Sequence, residues 1–169
     1  LPAQSAGAAD TDALYAQILG VLTQARTHAK RSVNQAMVQA YWQVGRLIVE
    51  NEQAGNARAT YGSKTLQTLA QRLVVECGKG CSVQSLRNFR QFFLTFTEDQ
   101  IRSTAWSELG WSHFKLLMRV TDPAARQWYA REAVSQTWSV AALDRQISTL
   151  YYQRLLSSQQ QDGVRAEAS

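Results

Sequence analysis

Much of what would mark an enzyme, a metal protein or a membrane protein is missing from this 169-residue chain. It has two prolines, Pro2 and Pro123, and neither falls inside an expected helix. It has two cysteines, Cys77 and Cys81, spaced C-x3-C, and its two histidines, His28 and His113, stand at no recognised ligand spacing from them. Two reduced thiols beside a turn therefore fit better than a zinc site, and a local disulfide stays open. No apolar run approaches the roughly 18 residues that a membrane span needs. The first residues lack the basic start and apolar core of a signal peptide, so a soluble, cytoplasmic protein is expected. Acids are the minority, 13 against 18 Lys and Arg, and they are mostly scattered singly, with close pairs such as Glu50 with Glu52 and Glu98 with Asp99 at expected helix ends. No G-x-x-x-x-G-K-S/T, H-E-x-x-H or G-x-S-x-G motif occurs. Gly78-Lys79-Gly80 resembles part of a phosphate-cradling loop but lacks a preceding strand. These absences predict no catalytic residue, no metal and no cofactor, so the chain is not expected to be an enzyme by itself.

Sustained alternation of the kind that marks strands is absent too, and helical periodicity takes its place. The class is all-α: one domain of six or seven helices over residues 12–156, preceded by a disordered tail at 1–11 and followed by a linker or disordered tail at 157–169. Leu14, Ile18, Val21, Leu22 and Ala25 mark a first helix capped by Thr11 or Asp12. Val33, Met37, Tyr41, Val44 and Ile48 mark a second over about 32–52, separated by a turn near His28 to Ser32 or continuous with the first as one bent helix. Residues 51–62 read as an exposed loop. A third helix starts near Ser63, with Leu66, Leu69, Ala70, Leu73 and Val74 inward. Thr97 to Gln100 forms a turn or a short helix, and Ser112, Asp122 with Pro123, and Ser139 open the last three helices.

The segment from Lys64 to Phe96 has the outline of a helix-turn-helix. Gly78 stands where a helix ends in a left-handed residue, and Ser82 where the next is capped. The second helix turns Val83, Leu86, Phe89 and Phe93 inward and leaves Gln84, Ser85, Arg87, Asn88 and Gln91 outward. Outward amides, hydroxyls and guanidinium groups can read base edges or grip phosphates. Five basic residues (Lys64, Arg72, Lys79, Arg87, Arg90) and one acid, Glu76, lie between Lys64 and Gln91, so much of the formal +5 charge and the pI near 9.5 concentrates there. The DNA-binding expectation places Gln84, Ser85, Arg87 and Asn88 near bases in the major groove, Lys64, Lys79 and Arg90 on phosphates, and counts Ser82 and Gln91 among the DNA-binding residues. An ordinary helical hairpin with a solvated polar face explains the same pattern. The aromatics Trp106, Trp111, Phe114, Trp128, Tyr129 and Trp138 read as packing rather than as base-stacking platforms, and Tyr151 and Tyr152 as a surface that meets another subunit or domain.

Several strings carry a resemblance: Tyr41-Trp42-Gln43-Val44-Gly45-Arg46-Leu47-Ile48, Tyr61-Gly62-Ser63-Lys64, Gly80 to Phe92, Leu109-Gly110-Trp111-Ser112-His113-Phe114, Asp122-Pro123-Ala124-Ala125-Arg126, and Trp138-Ser139-Val140 with Leu143 to Ile147. In order and spacing they resemble the N-terminal helical domain of the bacterial YhcG-like proteins, from Leu14 to Leu156. The resemblance implies a domain that positions double-stranded DNA for a nuclease domain of the PD-(D/E)XK class. No Asp followed by a Glu-x-Lys or Asp-x-Lys element occurs in this chain, so cutting is not assigned to these residues, whether a nuclease half lies elsewhere or the protein is a stand-alone relative. The implied partners are double-stranded DNA, a C-terminal nuclease domain, and a second copy in a homodimer. The rival reading is a protein-interaction or dimerisation module with an apolar patch at Trp128 to Tyr152.

Overall fold

The computed structural model describes residues 4–54 and 61–167, and among them every regular element is helical. The α-helices are α1 (Gln4–Ala54), α2 (Tyr61–Cys77), α3 (Val83–Thr95), α4 (Glu98–Arg102), α5 (Trp111–Leu117), α6 (Pro123–Ser135), α7 (Val140–Ser148) and α8 (Tyr151–Glu167). Short 3-10 turns at Gly78–Cys81 and Thr104–Trp106 join α2 to α3 and α4 to α5.

Eight helices replace the expected six or seven. The first two expected helices are one, α1, because the stretch from His28 to Ser32 holds neither Gly nor Pro and its residues tolerate helical backbone. Thr11 and Asp12 consequently lie inside a helix instead of capping one. The last expected helix breaks at Leu150, whose φ of 53° ends α7, and the buried hydroxyl of Tyr129 accepts the Tyr152 N–H at 3.1 Å at the start of α8. The turn at Thr97 opens a one-turn helix through a reciprocal cap, in which Thr97 Oγ1 accepts from Gln100 N–H and Gln100 Oε1 accepts from Thr97 N–H. Helical backbone also runs through 4–11 and 157–167, where tails were expected; alanines favour helix in the first segment, and glutamines and serines do not forbid it in the second.

Local punctuation otherwise follows the sequence. Gly78 has φ +66°, Ser82 Oγ accepts from Ser85 N–H, Asp122 accepts from Ala124 and Ala125 N–H, and Ser139 accepts from Ala142 N–H. Ser112 is the exception: α5 begins one residue earlier, and His113 does the capping, its Nδ1 accepting from Gly110 N–H at 3.2 Å. With Nδ1 an acceptor, the neutral ring places its proton on Nε2, which donates to Trp138 O at 2.9 Å and ties α5 to the start of α7.

The core is built on the C-terminal half of α1. There Trp42 donates its indole N–H to Phe96 O at 2.8 Å, and Gly45 lets α3 approach so closely that a Cβ would overlap Phe89 O. One cluster joins α1, α3 and α4 to α7 around Phe92, Phe114, Leu117, Tyr129 and Leu143. A smaller one, around Ile48, Leu66, Ala70, Leu86 and Phe89, holds α2 against α1 and α3. Tyr41, stacked on Phe89 at 4.4 Å, and Trp111 pack against both and fuse them. Phe92 is fully enclosed while Phe93, expected inward, is half-buried. Leu69 and Val74 of α2, and Leu14, Ile18, Val21, Leu22, Val33 and Met37 of α1, are exposed where an apolar face predicted burial. Too few helices flank them to cover that face.

Candidate nucleic-acid interface

Helix α3 is held from below and free above. Leu86, Phe89 and Phe92 anchor it, with more extensive packing on α1 than on α2. The opposite side carries Gln84, Arg87, Asn88 and Gln91, three or four residues apart, and the helix contains no carboxylate. Gln84 Nε2 donates to Asn88 Oδ1 at 3.2 Å and Gln91 Nε2 to Thr95 Oγ1 at 3.2 Å, so the amides form an ordered stripe. Each retains donors and acceptors that face outward.

This stripe is one wall of an open groove of about 640 Å³ whose other wall is α5 and the turn after it, with Ser112, Lys115 and Arg119 facing Gln84, Asn88 and Gln91. A second groove, of about 600 Å³, shares Ser112 and Val140 with the first and continues past His113 to Lys30 and Arg31 of α1. Arg31 is paired with Glu108 at 2.6 Å, and Arg119 reaches Asp144 only at 3.8 Å. Between them the two grooves bring together Lys30, Lys115 and Arg119, three basic residues that sequence reasoning missed. They lie 24 or more residues from the α3 stripe and outside its helix, and only the docking of α1 and α5 against α3 assembles them.

The other expected contacts divide. Ser82 and Ser85 bond to each other and to the first turn of α3, so their hydroxyls are engaged in capping. Arg90 points back toward α1, its Nε 2.9 Å from both carboxylate oxygens of Glu52, so its charge is already compensated. Lys79 is exposed on the 3-10 turn beside the start of α3. Lys64, also exposed, sits about 20 Å along α2 from that turn and lines neither groove.

The aromatics are structural: Trp106, Phe114 and Tyr129 are buried, and Trp111, Trp128 and Trp138 are half-buried against the main core. In the Trp128 to Tyr152 region Trp128 contacts Tyr129, Tyr151 and Tyr152, while Val140, Leu150 and Tyr151 are exposed. Cys77 is exposed and Cys81 partly so, both as free thiols, and among the described residues no cluster of His, Cys, Asp or Glu could hold a metal. No described helix is long and apolar enough to cross a membrane.

Residues 17–154 match the family model of the DUF1016 N-terminal domain. A protein of Escherichia coli (strain K12) named "Putative nuclease YhcG" is 34% identical over 170 residues, covering 83% of this chain and 45% of that relative. The chain thus spans less than half the length of the curated relative it matches. No solved structure matches the chain.

Proposed function

Since the chain belongs to the DUF1016 N-terminal domain family and is similar to a protein named as a nuclease, we propose that it binds double-stranded DNA and positions it for a nuclease. The observation that carries this reading is the groove between α3 and α5, where an ordered amide stripe faces Lys115 and Arg119 and no carboxylate lines the walls. Arg87 stands exposed beside it. Cations of this kind neutralise phosphates and release counterions, while the amides are the donor–acceptor pairs that read adenine edges. Gln84, Asn88 and Gln91 are assigned to base edges or sugar, Arg87, Lys115, Arg119 and Lys79 to phosphates, and Lys64 and Arg90 to the periphery.

Electrophoretic titration with duplex DNA at two salt concentrations tests the assignment. Affinity is expected to fall steeply with salt, by about 0.9 log unit per log unit of salt for each phosphate contacted. Lys115→Ala with Arg119→Ala, and separately Arg87→Ala, should weaken binding and flatten the slope by about one per charge removed. Undetectable binding at low salt, or an unchanged slope in these variants, defeats the proposal.

A docking role for a nuclease domain is favoured by a different feature. An aliphatic groove of about 390 Å³, lined by Val44, Leu47, Leu69 and Leu73, opens between α1 and α2. It lies apart from the α3 stripe, so both roles are compatible.

A further inference from the structure

From Asp10 to Met37 no residue of α1 is buried, a stretch about 40 Å long at the helical rise. Leu14, Ile18, Val21 and Ala25 recur at the 4-3-4 spacing of a coiled-coil seam, widened by Tyr15 and Leu22. Leu14, Ile18, Val21 and Leu22 are 55%, 51%, 66% and 49% exposed, values that an isolated chain in water does not favour for a continuous stripe.

We propose that this half of α1 is a dimerisation face, and that its partner is the same half-helix of a second copy running antiparallel. Charge selects both partner and direction. Asp10 and Arg31 fall on the same flank of the seam at its opposite ends. With Ile18 set against the second copy's Val21, and Leu14 against its Ala25, Asp10 falls beside the second copy's Arg31, and Tyr15 beside its Leu22. The two-fold axis repeats each pair, so one register satisfies the apolar seam and the flanking charges together. Arg31 already holds Glu108 at 2.6 Å, and its five donors allow it to engage a second carboxylate. A parallel pair would stack His28 on His28 and leave Asp10 beside Tyr15, with no cation to meet.

Light scattering on the whole 169-residue chain, 18.9 kDa as a monomer, is the first test. A dimer mass is expected at micromolar concentration, and Ile18→Glu with Leu22→Glu should raise the dissociation constant by at least about 100-fold. Because these positions are outside the core, circular dichroism and the unfolding midpoint of the globular part should not change. Direction is tested in a Cys77→Ser, Cys81→Ser background by mixing a Leu14→Cys chain with an Ala25→Cys chain. Disulfide-linked dimer is expected in the mixture and absent from the Leu14→Cys chain alone. A monomer at about 100 μM, well above the range of specific complexes, overturns the proposal and leaves the stripe to other protein segments. So does a dimer indifferent to the two Glu substitutions, or self-linking of the Leu14→Cys chain.

Discussion

At the scale of single residues, the folded state depends most sharply on a side chain that is absent. Gly45 permits the α1–α3 crossing, and the Cβ of Gly45→Ala would meet backbone at Phe89, which cannot rotate away. The substitution should lower stability by about 3 kcal/mol or more, read as a fall in the urea midpoint; a loss within about 0.5 kcal/mol would mean that the helices part freely. Cys81 offers a pH-dependent readout. Partial burial, then a hydrogen bond and a charge interaction with Cys77, hold its thiol above the ordinary range. The folded state therefore keeps the proton longer than the unfolded state does. Its contribution to stability is complete below the unfolded pKa and fades as pH rises through the folded one. From about pH 8 upward, thiol reagents should label Cys77 before Cys81, and the alkaline fall in stability should be shallower in Cys81→Ser. Equal labelling rates would contradict this. The sequence revealed that Gly78, Ser82, Asp122 and Ser139 punctuate helices, because caps are settled within four residues. It did not reveal that Arg90 answers to Glu52, since 38 positions of chain separate them and only the fold sets them side by side.

At the scale of elements, helix ends are where conformational freedom has been spent. Thr137 closes α6 with φ 52°, its N–H donating to Val134 O and the next N–H to Ala133 O, the paired bonds of a left-handed helix stop. A β-branched residue is strained there and glycine is not. Thr137→Gly should raise stability by about 1 kcal/mol, seen as a higher thermal midpoint; a lower one would show that the threonine side chain makes a compensating contact. Farther along, Arg126 caps the turn after α5 with two guanidinium N–H groups on Val120 O, at 3.0 and 2.8 Å, while burial lowers its pKa. The amide stripe of α3 was legible from periodicity alone, because it needs only the 3.6-residue repeat. Its opposite wall was not: Lys115 and Arg119 read as ordinary surface cations until α5 packs beside α3, a placement fixed by Trp111 and Phe114 against Phe92. Whether the two halves of α1 are separated by a turn or continuous stayed open in the sequence for a similar reason, since polar residues between apolar groups look alike in a turn and on the wet side of a long helix.

At the scale of the whole molecule, a helical body with the α3–α5 groove on one side is carried on a helix that runs well past it. The body accounts for the family's sequence strings: Tyr41 to Ile48 and Gly80 to Phe92 supply the α1–α3 crossing, and Leu109 to Phe114 supplies the wedge between the two cores. The protruding part of α1 adds no core of its own, so its apolar stripe answers to something outside the body. Because α1 is unbroken from Gln4 to Ala54, it also works as a shaft with a fixed phase. Whatever grips the stripe is held at one rotational angle to the α3 groove. One residue inserted near His28 would turn that grip by about 100° and advance it by about 1.5 Å, and four would bring it back to within about 40°.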